Sequence, residues 1–210
     1  MLDPQLLTFT ALAALLTISP GADTLLVIRN VLGGNVRTGI VTTTGICCGL
    51  FFHAVLSALG VSLILMASAT LYSLLKFGGA LYLGWLGFQS LRSALKAGGK
   101  QLPSTQKVAP RSTRRCFVEG VLSNVLNPKT AVFYLAFLPQ FIQPTDPVLF
   151  KSLFLAGIHF SMAFLWLCLL SLLLDRFRDL LLSSVVHRWL EGVCGTLLIG
   201  LGLSLMLEKR

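Results

Sequence analysis

LLTISPGADTLLVIRN (residues 15–30) and EGVLSNVLNPKTAVFY (residues 119–134) decide how this chain folds. Each is an apolar segment interrupted by a proline, Pro20 or Pro128, and each interruption carries an ionisable residue, Asp23 or Lys129. Proline removes an amide donor and clashes with the preceding turn, so both helices are expected to break there. Inside a bilayer such a break is tolerated only where the freed backbone groups are buried in protein or line a cavity. A charge at that depth costs about 2.5–3.5 kcal/mol on insertion scales and usually faces a pathway. Either proline alone reads equally well as a plain kink. Break and charge together, in both segments, point to a site for a small polar solute.

Around these segments the chain has 210 residues, 55% hydrophobic and only 12% charged, where a soluble domain has about 25% charged. With a mean hydropathy of +0.82 there is too little polar surface to coat a soluble globule. Charge-poor stretches mark six spans, at 5–28, 38–67, 70–92, 116–142, 149–174 and 186–207, each at least as long as the roughly 20 residues a bilayer helix needs. The expected fold class is an all-α integral membrane protein of six transmembrane helices, with helices one and four broken at proline. Met1-Leu2-Asp3-Pro4 lacks the basic start of a signal peptide, so the first apolar segment is expected to stay in place.

With the N-terminus outside, the inner loops hold 12 Lys and Arg and the outer side 3. Basic residues favour the cytoplasmic side, so the expectation is a multi-pass protein, N-out and C-out. That also accounts for the net charge of +9 without nucleic acid. The polar stretch KAGGKQLPSTQKVAPRSTRR (96–115) reads as a basic cytoplasmic linker between a first three-helix repeat, 1–95, and a second, 116–210. An odd number of spans per half inverts the second half, the repeat pattern of secondary transporters. Pro20 and Pro128, His53 and His159, and Gly79 and Gly195 match across the halves at offsets of 108, 106 and 116.

No HExxH, GxSxG or paired-Asp motif supports an intramembrane enzyme, and no Walker sequence supports ATP-driven pumping. Adjacent helical residues point about 100° apart, so Cys47 and Cys48 make a poor metal site with His53. The five cysteines read as packing residues, and neither metal nor other cofactor is expected. Trp85, Trp166, Trp189, Tyr72, Tyr82 and Tyr134 read as packing and interfacial anchors, and Glu119 as solvated. A divalent-cation exporter remains the alternative. It would want paired carboxylates or thiolates, and the chain shows one well-buried carboxylate, Asp23.

SPGAD (Ser19–Asp23), GIVTTTGICCG (Gly39–Gly49), GGALYLGWLG (Gly78–Gly87), LSNVLNPKT (Leu122–Thr130) and FLPQFI (Phe137–Ile142) together resemble the lysine exporter and homoserine/threonine exporter (LysE/RhtB) superfamily. The resemblance covers nearly the whole chain. Ala22 departs from it, where the family more often has a second proline. The resemblance implies secondary transport of amino acids out of the bacterial cytoplasm across the inner membrane, with protons as coupling ion. The long polar loop is closer to the neutral amino-acid branch (threonine, homoserine, leucine) than to the lysine/arginine branch. A homodimer is left open.

An amino acid is a zwitterion and needs an anionic partner for its ammonium and a cationic or dipolar one for its carboxylate. Asp23 beside Gly21 suits the first. The second falls to Lys129, Thr130 and the amides opening the half-helix at Pro128–Ala131, with their positive dipole end. Lys129 has a second option, pairing with Asp23 in an empty site. Asn124 and Asn127 offer neutral hydrogen bonds. Asp23, His53 and His159 are the candidates for proton coupling.

Overall fold

The computed structural model of the chain describes residues 4–67, 69–96, 112–143, 145–181 and 183–207. Every regular element among them is helical: α1 (Pro4–Ile18), α2 (Ala22–Leu32), α3 (Val36–Ala67), α4 (Ala69–Lys96), α5 (Thr113–Val125), α6 (Pro128–Ala136), a 3-10 turn at Leu138–Phe141, α7 (Val148–Leu181) and α8 (Ser184–Leu207). Most of the expected linker, 97–111, lies outside the described residues, as do Lys209 and Arg210.

Both breaks are present. α1 and α2 meet at 48° across Ser19–Gly21, and the α5 and α6 segments meet at 51° across Leu126–Asn127. Pro128 sits at the start of α6, where its missing N–H costs nothing. Asn127 caps that start, its side-chain oxygen accepting from Lys129 N at 3.0 Å. Gly21 precedes α2 in extended backbone with no side-chain cap, which leaves Asp23 in the first turn to balance the positive helix end.

Segments 36–60 and 148–174 are each long and apolar enough to cross a bilayer, and each bent pair is when taken as one span. That makes up to four spans by length and composition among the described residues. α4 and α8 are long enough to cross a bilayer, at 28 and 24 residues, and α4 is the more polar of the two. α4 carries Lys76, Gln89 and Arg92, and α8 contains the apolar stretch Glu191–Gly200 among the described residues. The large apolar side chains left exposed, such as Leu81, Phe88 and Leu165, suit a lipid surround.

Helices approach closely where glycines meet. A side chain at Gly45 would strike the Phe117 carbonyl of α5, and one at Gly120 the Thr42 carbonyl of α3. Four residues on from Gly45, a methyl at Gly49 would lie 2.7 Å from Asn124 Oδ1. α4 and α8 cross in the same way, with a methyl at Gly87 falling 2.5 Å from the Gly195 carbonyl. The half-helices divide their neighbours: α1 packs on α7 and α8, α6 on α3 and α4, and α2 and α5 on each other and on α3. Phe9, Phe133 and Phe141 fill the core between α1 and α6.

Candidate functional site

The two breaks interlock. Asp23, from the first, accepts three hydrogen bonds from the second: Ser123 Oγ at 2.6 Å, Asn124 Nδ2 at 2.9 Å and Asn127 Nδ2 at 3.1 Å. Residues 123, 124 and 127 share one face of the α5 end, which is why all three converge on one carboxylate. In return Lys129, from the second break, donates through Nζ to the carbonyl of Ser19 at 2.8 Å. That carbonyl is a group the first break leaves without a helical partner. Thus the second option for Lys129, pairing with Asp23, is not taken here, and each charge is held by neutral groups.

Between them lies a cavity of about 50 Å³, lined by Thr17, Ser19, Gly21, Asp23, Asn124, Asn127, Lys129, Thr130 and His159 on its polar side. Leu16, Ile46, Leu50, Ala163 and Leu167 form the apolar side. It has room for a few water-sized molecules and not for a whole amino acid. Asn124 is buried at 1% exposure, and its Oδ1 has no hydrogen-bond partner among the described residues.

The amides expected to receive a carboxylate are largely taken. Pro128 has none, Lys129 N is held by Asn127 Oδ1, and Ala131 N closes on the Asn127 carbonyl at 3.0 Å. Thr130 remains, buried and facing the cavity, its hydroxyl 3.4 Å from Asn124 Nδ2. The Lys129 ammonium and the Thr130 hydroxyl are the side-chain groups that this break turns to the cavity beside those amides.

His53 and His159 each reach the break of the opposite half. His53 of α3 donates through Nε2 to the Asn124 carbonyl at 3.0 Å, an acceptor that requires the proton on that nitrogen. His159 of α7 meets Thr17 Oγ1 at 3.1 Å through Nε2 and Tyr134 Oη at 3.2 Å through Nδ1. The Tyr134 ring, fully buried, stands between the two imidazoles at centroid distances of 5.8 and 5.9 Å. Only His159 lines the cavity.

Two acidic residues differ from the sequence reading. Glu191 of α8 is 6% exposed, more buried than Asp23, and both carboxylates lie within electrostatic reach of Lys129. It is a lone acid in an apolar stretch, the same signal that marked Asp23. Glu119, expected in solvent, instead bridges Arg29 at 2.7 Å and Arg115 at 2.9 Å. Cys47, Cys116 and Cys194 are buried packing residues, while Cys48 turns outward from its neighbour.

Residues 14–209 match the family profile described as LysE type translocator. The chain is 32% identical to an uncharacterized membrane protein of Bacillus subtilis, over 95% of its own length and 97% of the relative's. It is 28% identical to a threonine efflux protein of Escherichia coli, over 91% and 92% of the two chains. It is 35% identical to a homoserine/homoserine lactone efflux protein of Salmonella typhimurium, over 68% and 67%. No solved structure matches the chain.

Proposed function

The chain belongs to the LysE type translocator family, and from that premise we propose that it exports small neutral amino acids of the threonine and homoserine kind from the bacterial cytoplasm, in exchange for protons. At family level it is an amino-acid efflux transporter and not an enzyme. The observation that carries the finer reading is one cavity with an anion and a cation that leave each other unpaired. When the cavity widens to admit it, a zwitterion has a place for both its charges there. Its ammonium goes to Asp23 and the unpartnered Asn124 Oδ1, its carboxylate to Lys129 and Thr130. The apolar wall of Leu16, Ile46 and Leu50 takes a short uncharged side chain. A divalent cation would face the Lys129 ammonium, which weighs against that cargo.

In this reading the chain crosses the inner membrane six times as two inverted three-helix repeats, both termini outside. The reciprocal contacts support it: Asp23 and Ser19 find partners in the second half, and His53 and His159 each reach the opposite break. His159, bonded at both nitrogens and lining the cavity, is the proton-coupling histidine. His53 holds the α5 end in place.

Purified protein in vesicles loaded with labelled L-threonine or L-homoserine tests the function. An outward movement accelerated by an imposed proton gradient is expected. Gradient-insensitive movement would remove the coupling, and no movement of either amino acid would remove the substrate class.

A further inference from the structure

Away from the central cavity, α2 and α5 face each other across an open cleft of about 500 Å³. Leu25, Leu26 and Arg29 line it from α2, and Glu119, Leu122 and Ser123 from α5. Arg29 follows Leu26 by three residues and Leu25 by four, and Leu122 and Ser123 follow Glu119 by three and four, so each set forms one face. At one end the Arg29–Glu119 pair bridges the two helices at 2.7 Å, with Arg115 holding the other Glu119 oxygen at 2.9 Å. At the other end is Ser123, whose hydroxyl is bonded to Asp23 at 2.6 Å. Asp23 therefore divides this cleft from the central cavity. Asp23 to Arg29 spans about 9 Å of helix, and Glu119 to Ser123 about 6 Å. That interval is the length of a small amino acid.

The charges at the mouth say what fits. A solute of single charge meets a partner and a like charge side by side here, because Arg29 and Glu119 stand 2.7 Å apart. A zwitterion supplies both opposite charges and opens the pair by exchange. Its apolar side chain then meets Leu25, Leu26 and Leu122.

We propose that the α2–α5 cleft is a cytoplasmic-side loading subsite, which holds a neutral zwitterionic amino acid on Arg29 and Glu119 before Ser123 gives up Asp23 to it. The proposal rests on the export reading above. It extends that reading to residues the sequence assigned only to a basic inner loop and a solvated acid.

The test uses a thiol at Leu122 in a full-length protein whose five cysteines are replaced, reacted with a membrane-impermeant charged thiosulfonate in inverted and right-side-out vesicles. Rapid reaction from the cytoplasmic side only, slowed about tenfold by saturating L-threonine, is expected. No reaction from either side means the cleft is filled by lipid and overturns the proposal, as does a rate unchanged by both L-threonine and L-homoserine. Protection without any export would keep the subsite and remove the transport reading. A second arm compares Arg29→Glu, Glu119→Arg and the two combined. A purely structural ion pair predicts that the exchange restores export in full. A loading subsite predicts that the combined variant folds like the native protein, yet keeps a KM for L-threonine raised by about tenfold, because the zwitterion now docks reversed.

Discussion

Lys129 and Ser19, 110 residues apart in sequence, are joined by a 2.8 Å hydrogen bond from ammonium to main-chain carbonyl. The bond ties the two broken helices together without using the nearby carboxylate. Asp23 is therefore not occupied in neutralising Lys129, and its role can be tested by itself.

In Asp23→Asn the amide oxygen can keep the two asparagine donors, while the Ser123 hydroxyl turns to accept from the new NH₂. The variant is expected to assemble normally, yet to lose export by about a hundredfold or more, the scale of removing one partner of a buried charge pair formed on binding. Combining it with Lys129→Met should restore nothing. Export rate per amount of folded protein measures both, and normal export by Asp23→Asn would remove the carboxylate from the site.

Lys129→Met should release the Ser19 carbonyl into an apolar setting and cost about 1–3 kcal/mol of stability. Lys129→Arg should retain that bond, since a guanidinium can donate to the same carbonyl. Thermal unfolding in detergent, compared across native, Met and Arg forms, reads the difference. Equal stability of all three would show that the Ser19 bond contributes nothing.

His159→Gln is expected to leave gradient-free exchange of labelled L-threonine across vesicles largely intact, while abolishing its acceleration by a proton gradient. Glutamine can still bond Thr17 and Tyr134 but does not titrate near neutral pH. His53→Gln should slow both processes in the same proportion, because His53 holds the Asn124 carbonyl and lies outside the cavity lining. Equal behaviour of the two variants would contradict this division.

Gly45→Ala and Gly120→Ala should each force α3 and α5 apart, since the added methyl meets main-chain atoms that cannot rotate away. A loss of about 1–3 kcal/mol is expected for each. Gly21→Ala, whose methyl would sit 3.8 Å from the Lys129 side chain, should be accepted. Yield of folded protein and unfolding temperature separate the two outcomes.

A thiol in place of Ser104 should react with impermeant reagents in inverted vesicles and be silent in intact cells, as the excess of basic inner loops requires. Reaction from outside would reverse the orientation.

The helices and their breaks were legible because charge-free length and proline act locally. α3 begins two residues before its expected start and ends at the expected residue. Partner choice was not legible, because it depends on which face each half-helix turns inward. Opposite charges on opposite breaks suggest a pair, but the fold offers Asp23 three neutral donors and gives Lys129 an unsatisfied carbonyl. Ser123 was overlooked although it lies four residues before Asn127, on the same face of the helix. Tyr134 was judged by residue type, and its position four residues after the cavity-lining Thr130 was the better guide. Glu191 carried the same mark as Asp23, an isolated acid among apolar neighbours, without a proline to draw notice.

The interlocked breaks also bear on how the chain is made. Ser123 follows Asp23 by 100 residues, so at about 5–20 residues per second the ribosome delivers it some 5–20 s later. Throughout that interval the first helix has entered or is entering the membrane with a carboxylate whose permanent donors have not been synthesised. The first half therefore cannot reach its final form on its own. A truncated chain ending in the linker should be a substrate for quality-control proteolysis, and co-expression of the second half should rescue it.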